Sequence, residues 1–140
     1  MRDGVEEIDG GWRIPLEGFV AEAMHGLGNT HLRLAREGVE AFISVPVDMA
    51  PAIEMLASAR AVVVEATVDR DSRLTVDFGE GQILSVPPDP DFENWEVRGP
   101  GDIQVVGMPG GGEPAIWDAT SKTYRVVDGE VVETTEGDDT

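Results

Sequence analysis

The chain has 140 residues, with 28 carboxylates against 10 lysines and arginines, a formal charge of −18 and no cysteine. That length fits one domain with a core of its own, and the missing cysteines exclude disulfides, thiolate chemistry and cysteine-ligated zinc or iron–sulfur sites. So acidic a chain repels nucleic acid and anionic membranes, whose binding needs Lys and Arg to displace counterions, and attracts basic proteins, although the same acidity serves solubility alone.

The opening, MRDGVEEIDGG, is acidic without an apolar run, so it does not read as a secretory signal. No stretch approaches the roughly 20 apolar residues of a membrane span, and a soluble, cytoplasmic protein is expected. Residues 1–11 read as loose, followed by short strands at 12–16 and 19–24. HLRLA (31–35) places Leu32 and Leu34 on one face, and VEAFISV (39–45) returns after a tight REG turn in which Gly38 takes positive φ. The period then changes. In residues 48–60, Met49, Ile53 and Leu56 fall on one helical face, with Asp48 as N-cap and Pro51 in the first turn.

Strands resume at 61–69, LTVDF (74–78) and QILSV (82–86), the last two joined by a GEG turn. Further short strands are read at 95–97, 103–107, 115–117 and 124–127, between turn-like GPGD, MPGGGEP and DATSK segments. The domain is placed at residues 1–127, and the acidic tail 128–140 reads as largely disordered. Ser-Val-Pro recurs at 44–46 and 85–87, each time after a hairpin pattern, which suggests a duplicated hairpin unit whose second copy exits into a helical turn near 89–94. The expected fold is α+β: a curved, mostly antiparallel sheet, or two small sheets, with one helix packed on a face.

The segment SVPPDPDFENWEVRGP (85–100) carries four prolines. Each removes an amide donor and drives the preceding residue to extended backbone, so the chain must leave the sheet here. Asp89 and Asp91 suit Asx-type turns, and Phe92 and Trp95, three residues apart, are both expected to face the core. Burial of the indole would stabilise this corner by about 2–3 kcal/mol. The segment, with VVGMPGGGEPAIW after it, resembles a signature of small actinobacterial proteins in a family of unknown function. Trp95, Gly99-Pro100 and the Met-Pro-Gly-Gly run match that pattern, whereas the third glycine of 110–112, Glu113-Pro114 and Ile116 depart from it. The resemblance covers mostly residues 62–117, implies no catalytic role, and extends by association to immunity partners of bacterial toxins.

Tests for chemistry return little. His25 and His31 would approach each other if 26–30 turned back, and two imidazoles with an acid can hold a metal, but nothing else in the sequence specifies such a site. Ser44 and Ser85 lie at strand ends, outside any nucleophile setting. MPGGGEP lacks the Lys-Ser/Thr ending of a phosphate loop, and no calcium-loop spacing occurs. No cofactor or metal is assigned. The leading reading is a non-catalytic, immunity-like inhibitor that occludes the cationic cleft of a basic toxin or nuclease. Asp71, Asp77, Glu80, Asp89, Asp91 and Glu93 supply the charge, with Trp95 or Trp117 as apolar anchor if either is exposed. A scaffold or regulatory module, and a small hydrolase or metabolite-binding protein using His25 and His31, stay open beside it. Uncovered sheet edges also leave a homodimer open.

Overall fold

Period-two alternation of apolar and polar residues dominates this chain and builds two antiparallel curved sheets with one packed helix, an α+β fold. The computed structural model describes residues 4–27, 29–118, 122–127 and 130–135. One sheet has the order β1-β2-β6-β7-β8, formed by Glu6–Ile8, Gly11–Ile14, Glu65–Asp69, Leu74–Asp77 and Ile83–Val86. The other has the order β11-β10-β9-β5-β4-β3, formed by Ala115–Trp117, Gln104–Val106, Glu96–Arg98, Val39–Val45, Asn29–Arg36 and Val20–Leu27. Helix α1 (Ala50–Ser58) packs on β3 and β4 through the buried Ile53 and Leu56. Alternate residues of both sheets, among them Ile14, Val68, Val76 and Leu84 on one and Leu32, Ile43, Val97 and Val105 on the other, join these helix residues in one core.

The two hairpins expected around the Ser-Val-Pro triplets form, one in each sheet. In the first, Glu37 and Gly38 both have positive φ (50° and 83°), the twist a tight β4–β5 connection needs. In the second, β7 and β8 are joined through Gly79, Glu80 and Gly81, all at positive φ.

Several expectations are corrected. The segment before Gly11 is not loose: β1 pairs with β2 around a turn in which Gly10 takes φ 86°. The run 61–69 is not one strand. Residues 61–63 instead lie along the start of β3, through Ala21 N–H to the Ala61 carbonyl (2.8 Å) and Val63 N–H to the Phe19 carbonyl (2.8 Å). Val64 N–H then reaches the Asp77 carbonyl (2.7 Å), so this stretch stitches one sheet to the other before β6 begins. Asp48 does not cap the helix. It lies in a 3-10 turn, Val47–Met49, and Met49 occupies the cap position without a side-chain bond, Pro51 following in the first turn. Residues 89–94 form no helix: 90–92 are bends and the others have no regular structure, with Pro87, Pro88 and Pro90 removing amide donors along the segment. Separately from these corrections, β12 (Lys122–Val127) pairs with β13 (Glu130–Thr135), while residues 128–129 and 136–140 of the acidic tail lie outside the described residues.

Trp95 is 2% exposed, and its indole N–H donates to the Ser72 carbonyl at 2.8 Å. Ser72 is itself fully buried at φ 64°, accepts Met108 N–H on its hydroxyl (3.0 Å) and donates that hydroxyl to the Gly112 carbonyl (2.5 Å). Gly107 closes the junction: its N–H donates to the Trp95 carbonyl (3.0 Å), and a Cβ there would sit 2.4 Å from the indole nitrogen. Gly107→Ala is therefore expected to destabilise the chain by about 1–3 kcal/mol, the range for overpacking. Gly26→Ala, where a Cβ meets nothing within 4 Å, is expected to leave the urea midpoint nearly unchanged. Equal midpoints for the two variants would remove this junction from the account of stability.

Candidate functional site: an acidic loop cluster beside a polar cleft

Two turns of the same chemistry organise the acidic residues. Asp69 Oδ1 accepts the amides of Asp71 (2.9 Å) and Arg73 (3.0 Å), and Asp89 Oδ1 accepts those of Asp91 (2.8 Å) and Phe92 (3.2 Å). Each is an Asx turn, a short carboxylate standing in for a backbone acceptor. A third loop, residues 108–112, lies between them. Gly110 N–H donates to the Asp89 carbonyl (2.8 Å), and a Cβ on Gly111 would approach the Asp71 carbonyl at 3.8 Å. Asn94 Nδ2 donates to the Pro87 carbonyl (2.6 Å) and so closes the 87–94 loop on itself.

The consequence is a partial regrouping of the anticipated site. Asp71, Asp89, Asp91 and Glu93 belong to loops gathered at one end of the five-stranded sheet. Asp77 and Glu80 lie at the opposite end of β7, roughly 10 Å away along the strand. Asp77 is engaged in its own turn, accepting Gly79 N–H at 2.7 Å. Arg70 crosses the loop cluster, meeting Glu7 at 2.8 Å and Glu113 at 3.5 Å and stacking over Trp12 with its guanidinium 4.8 Å from the ring centroid. The Glu7 hydrogen bond and both carboxylates hold its pKa above the usual arginine value.

The aromatic assignments change as well. Trp95 is buried in the junction and offers no surface; Trp117, on β11, is 38% exposed and lies across from Gln104. Phe92, expected in the core, is 69% exposed. The reason is the Asx turn: Asp89 draws the Phe92 amide inward, and the side chain leaves on the solvent side of the loop. The D-P-D-F order carries that signal, because an Asp whose carboxylate caps the second and third following amides pins a bend rather than a core-facing turn.

The expected approach of His25 and His31 occurs: they are direct partners across β3 and β4. His31 continues a cross-strand row through Ser44 to Glu96 on the outer face of the six-stranded sheet. His31 Nδ1 and Ser44 Oγ are hydrogen-bonded at 2.6 Å. Glu96 is already satisfied by Gln104 (2.6 Å) and Arg98 (2.9 Å). Where the 87–94 loop meets this face it leaves a cleft of about 170 Å³, lined among others by Asn29, His31, Ser44, Glu93 and Asn94. Spacing alone did not reveal Asn29, Ser44 or Asn94 as cleft residues, since the cleft forms between strands and a loop distant in sequence. Among the described residues no cluster of three His, Cys, Asp or Glu side chains has the geometry to hold a metal ion.

The model of a family of unknown function, DUF6188, matches residues 28–118, well over half of the chain. The chain belongs to DUF6188. The matched region runs from the start of β4 to the end of β11 and contains the whole Trp95 junction, the acidic loops and the cleft. It extends further toward the N-terminus than residues 62–117, the span expected to carry the family resemblance. No curated protein and no solved structure matches the DUF6188 chain.

The Asx geometry makes a specific prediction. Asp89→Ala removes the acceptor of two amides and is expected to cost about 1 kcal/mol, the net worth of such a bond, and to raise amide exchange at Asp91 and Phe92. Asp89→Asn retains the acceptor and should behave nearly as wild type. Hydrogen exchange followed by NMR distinguishes the two, and unchanged protection in the alanine variant would contradict the capping role.

Proposed function

We propose that this chain is an acidic, non-catalytic protein-binding inhibitor, immunity-like in role, acting in the cytoplasm of an actinobacterium on a basic toxin or nuclease. The observation that carries the reading is Phe92, a large apolar side chain 69% exposed, in sequence between the carboxylates of Asp91 and Glu93. An aromatic anchor inside an anionic rim is the arrangement by which an inhibitor fills a cationic cleft: the rim steers and orients, and the anchor supplies the desolvated contact. The net charge of −18 supports fast encounter with a basic partner and disfavours direct binding of nucleic acid. In this reading Asp91 and Glu93 face the partner, Asp89 holds the loop, and Phe92 takes the anchor role that the sequence suggested for Trp95 or Trp117.

A second reading rests on the cleft with its His31–Ser44 hydrogen bond, a small-molecule or hydrolytic site. Its volume, about 170 Å³, falls below the roughly 300–1,000 Å³ of ordinary metabolite sites, so it suits a single side chain or a very small polar molecule. A scaffold role fits the acidity equally well but leaves the exposure of Phe92 without a purpose.

Capture from native lysate, repeated with Phe92→Ser and with Asp91→Asn/Glu93→Gln, tests the leading reading. A basic enzyme should be retained stoichiometrically by wild type at about 0.15 M salt, where exposed charge is screened beyond ~8 Å, and its activity should fall on binding. Phe92→Ser is expected to weaken that complex by roughly 30-fold or more, as loss of an anchor does, and the double charge variant should slow association. If every captured protein elutes at moderate salt and none is inhibited, the inhibitor reading fails.

A further inference from the structure

Strand β8 ends its sheet, and among the described residues no backbone segment pairs with its outer side. Its register determines which groups are open. Phe78 N–H donates to the Gln82 carbonyl, and the pairs Val76–Leu84 and Leu74–Val86 follow at two-residue intervals. Antiparallel pairing alternates, so the backbone of Leu84 and Val86 turns toward β7 while the N–H and C=O groups of Ile83 and Ser85 turn outward. Pro87 and Pro88 then end the ladder.

The side chains along this edge are sorted. Leu84 and Val86 point into the core, whereas Ile83 is 59% exposed and Ser85 is also exposed. On the solvent face Ile83 is followed across the sheet by Asp77 and then Glu65. Glu80 stands in the turn before the strand, and Asp89 and Asp91 stand just beyond the prolines. Among the described residues the one cation hydrogen-bonded to the strand is Arg73, which donates to the Ser85 hydroxyl at 3.1 Å. Asp77 and Glu80, separated from the loop cluster by the length of β7, are thereby brought to the opposite end of the same open edge.

We infer that β8 receives an extended segment of the basic partner as an added strand. The inference rests on the protein-binding reading and names its mode. The register specifies the segment: alternate side chains would lie beside Ile83 on the Asp77–Glu65 face and be Lys or Arg, and those between them would be apolar, extending the Leu84–Val86 layer. A second copy of the chain is disfavoured, because it would bring the same carboxylates edge to edge.

The test uses the full chain with a synthetic octapeptide of alternating lysine and valine, and the same peptide N-methylated at alternate amides. The expected result is new amide protection at Ile83 and Ser85 with the first peptide and none with the second. Ser85→Pro deletes an outward N–H, and it should lower affinity by about tenfold while circular dichroism and melting temperature stay near wild type. Should Ser85→Pro unfold the chain, Ile83→Lys, which sets a like charge against the peptide, is expected to give the same loss. Binding that protects only residues 87–94 and ignores both variants would overturn strand addition while leaving the acidic-inhibitor reading intact. No binding of either peptide at about 0.15 M salt, together with no inhibited partner in the capture experiment, would overturn both. A wild-type dimer that Ser85→Pro converts to monomer in sedimentation would assign the edge to a second copy and also overturn the inference.

Discussion

The indole of Trp95 holds together parts of this chain that share no strand pairing. Its N–H ends on the Ser72 carbonyl in the β6–β7 turn of one sheet, while its own backbone leads directly into β9 of the other. Ser72 occupies left-handed backbone, which residues other than Gly, Asn and Asp seldom adopt. The surrounding hydrogen bonds over-determine it: the Ser72 carbonyl receives the indole, and its hydroxyl is bonded to Met108 and Gly112. A glycine at 107 then lets the backbone lie against the ring. The position of the 108–112 strap, and through it the position of the acidic 87–94 loop, follows from that contact.

A chain with nearly three carboxylates for each base must also keep its acids from opposing folding. It does so by placing single arginines between two carboxylates from different elements. Arg13 lies between Glu6 and Glu65, Arg33 between Glu22 and Glu40, and Arg70 between Glu7 and Glu113. Exposed pairs of this kind contribute little individually. Their value lies in removing cross-strand repulsion that would otherwise act between neighbouring acids. The acids left outside this scheme include Asp71, Glu80, Asp91 and Glu93, on loops at the two ends of the β7–β8 hairpin.

On the proposed reading, the interaction chemistry gathers around one strand. The loop with Phe92 follows β8, the Glu80 turn precedes it, and the open backbone of Ile83 and Ser85 lies between. Natural sheets blunt their edges with short strands, proline and charge; β8 is four residues long, is followed by Pro87 and Pro88, and is flanked by Asp77, Glu80 and Asp89 while carrying no charge itself. Arg73 at Ser85 apart, these flanking charges are carboxylates, so what discourages self-pairing would also favour the basic strand proposed above. The polar cleft at His31 and Ser44 adjoins the same loop through Glu93 and Asn94, so a partner seated on Phe92 would have a small hydrogen-bonding recess beside it.

The α+β class, both hairpins and the existence of α1 are legible in the sequence because each depends on local periodicity or turn chemistry. Leu32–Leu34 and Leu74–Val76 alternate as strands must, and Gly38 and Gly79 mark the turns where positive φ is needed. Tertiary structure decided what such patterns leave open. The valine-rich run at 61–69 has strand character throughout, yet only its second part joins β6, since residues 61–63 are claimed by the start of β3. Phe92 and Trp95 have the same apolar character and helical spacing. Which one is buried depends on Asp89 capping the loop and on a cavity between Ser72 and Gly107, residues far from either in sequence. Composition likewise establishes how acidic the chain is. It takes the topology to put Asp71, Asp89, Asp91 and Glu93 on one loop cluster and Asp77 and Glu80 on another, because sheet order is a choice among long-range pairings that no local signal encodes.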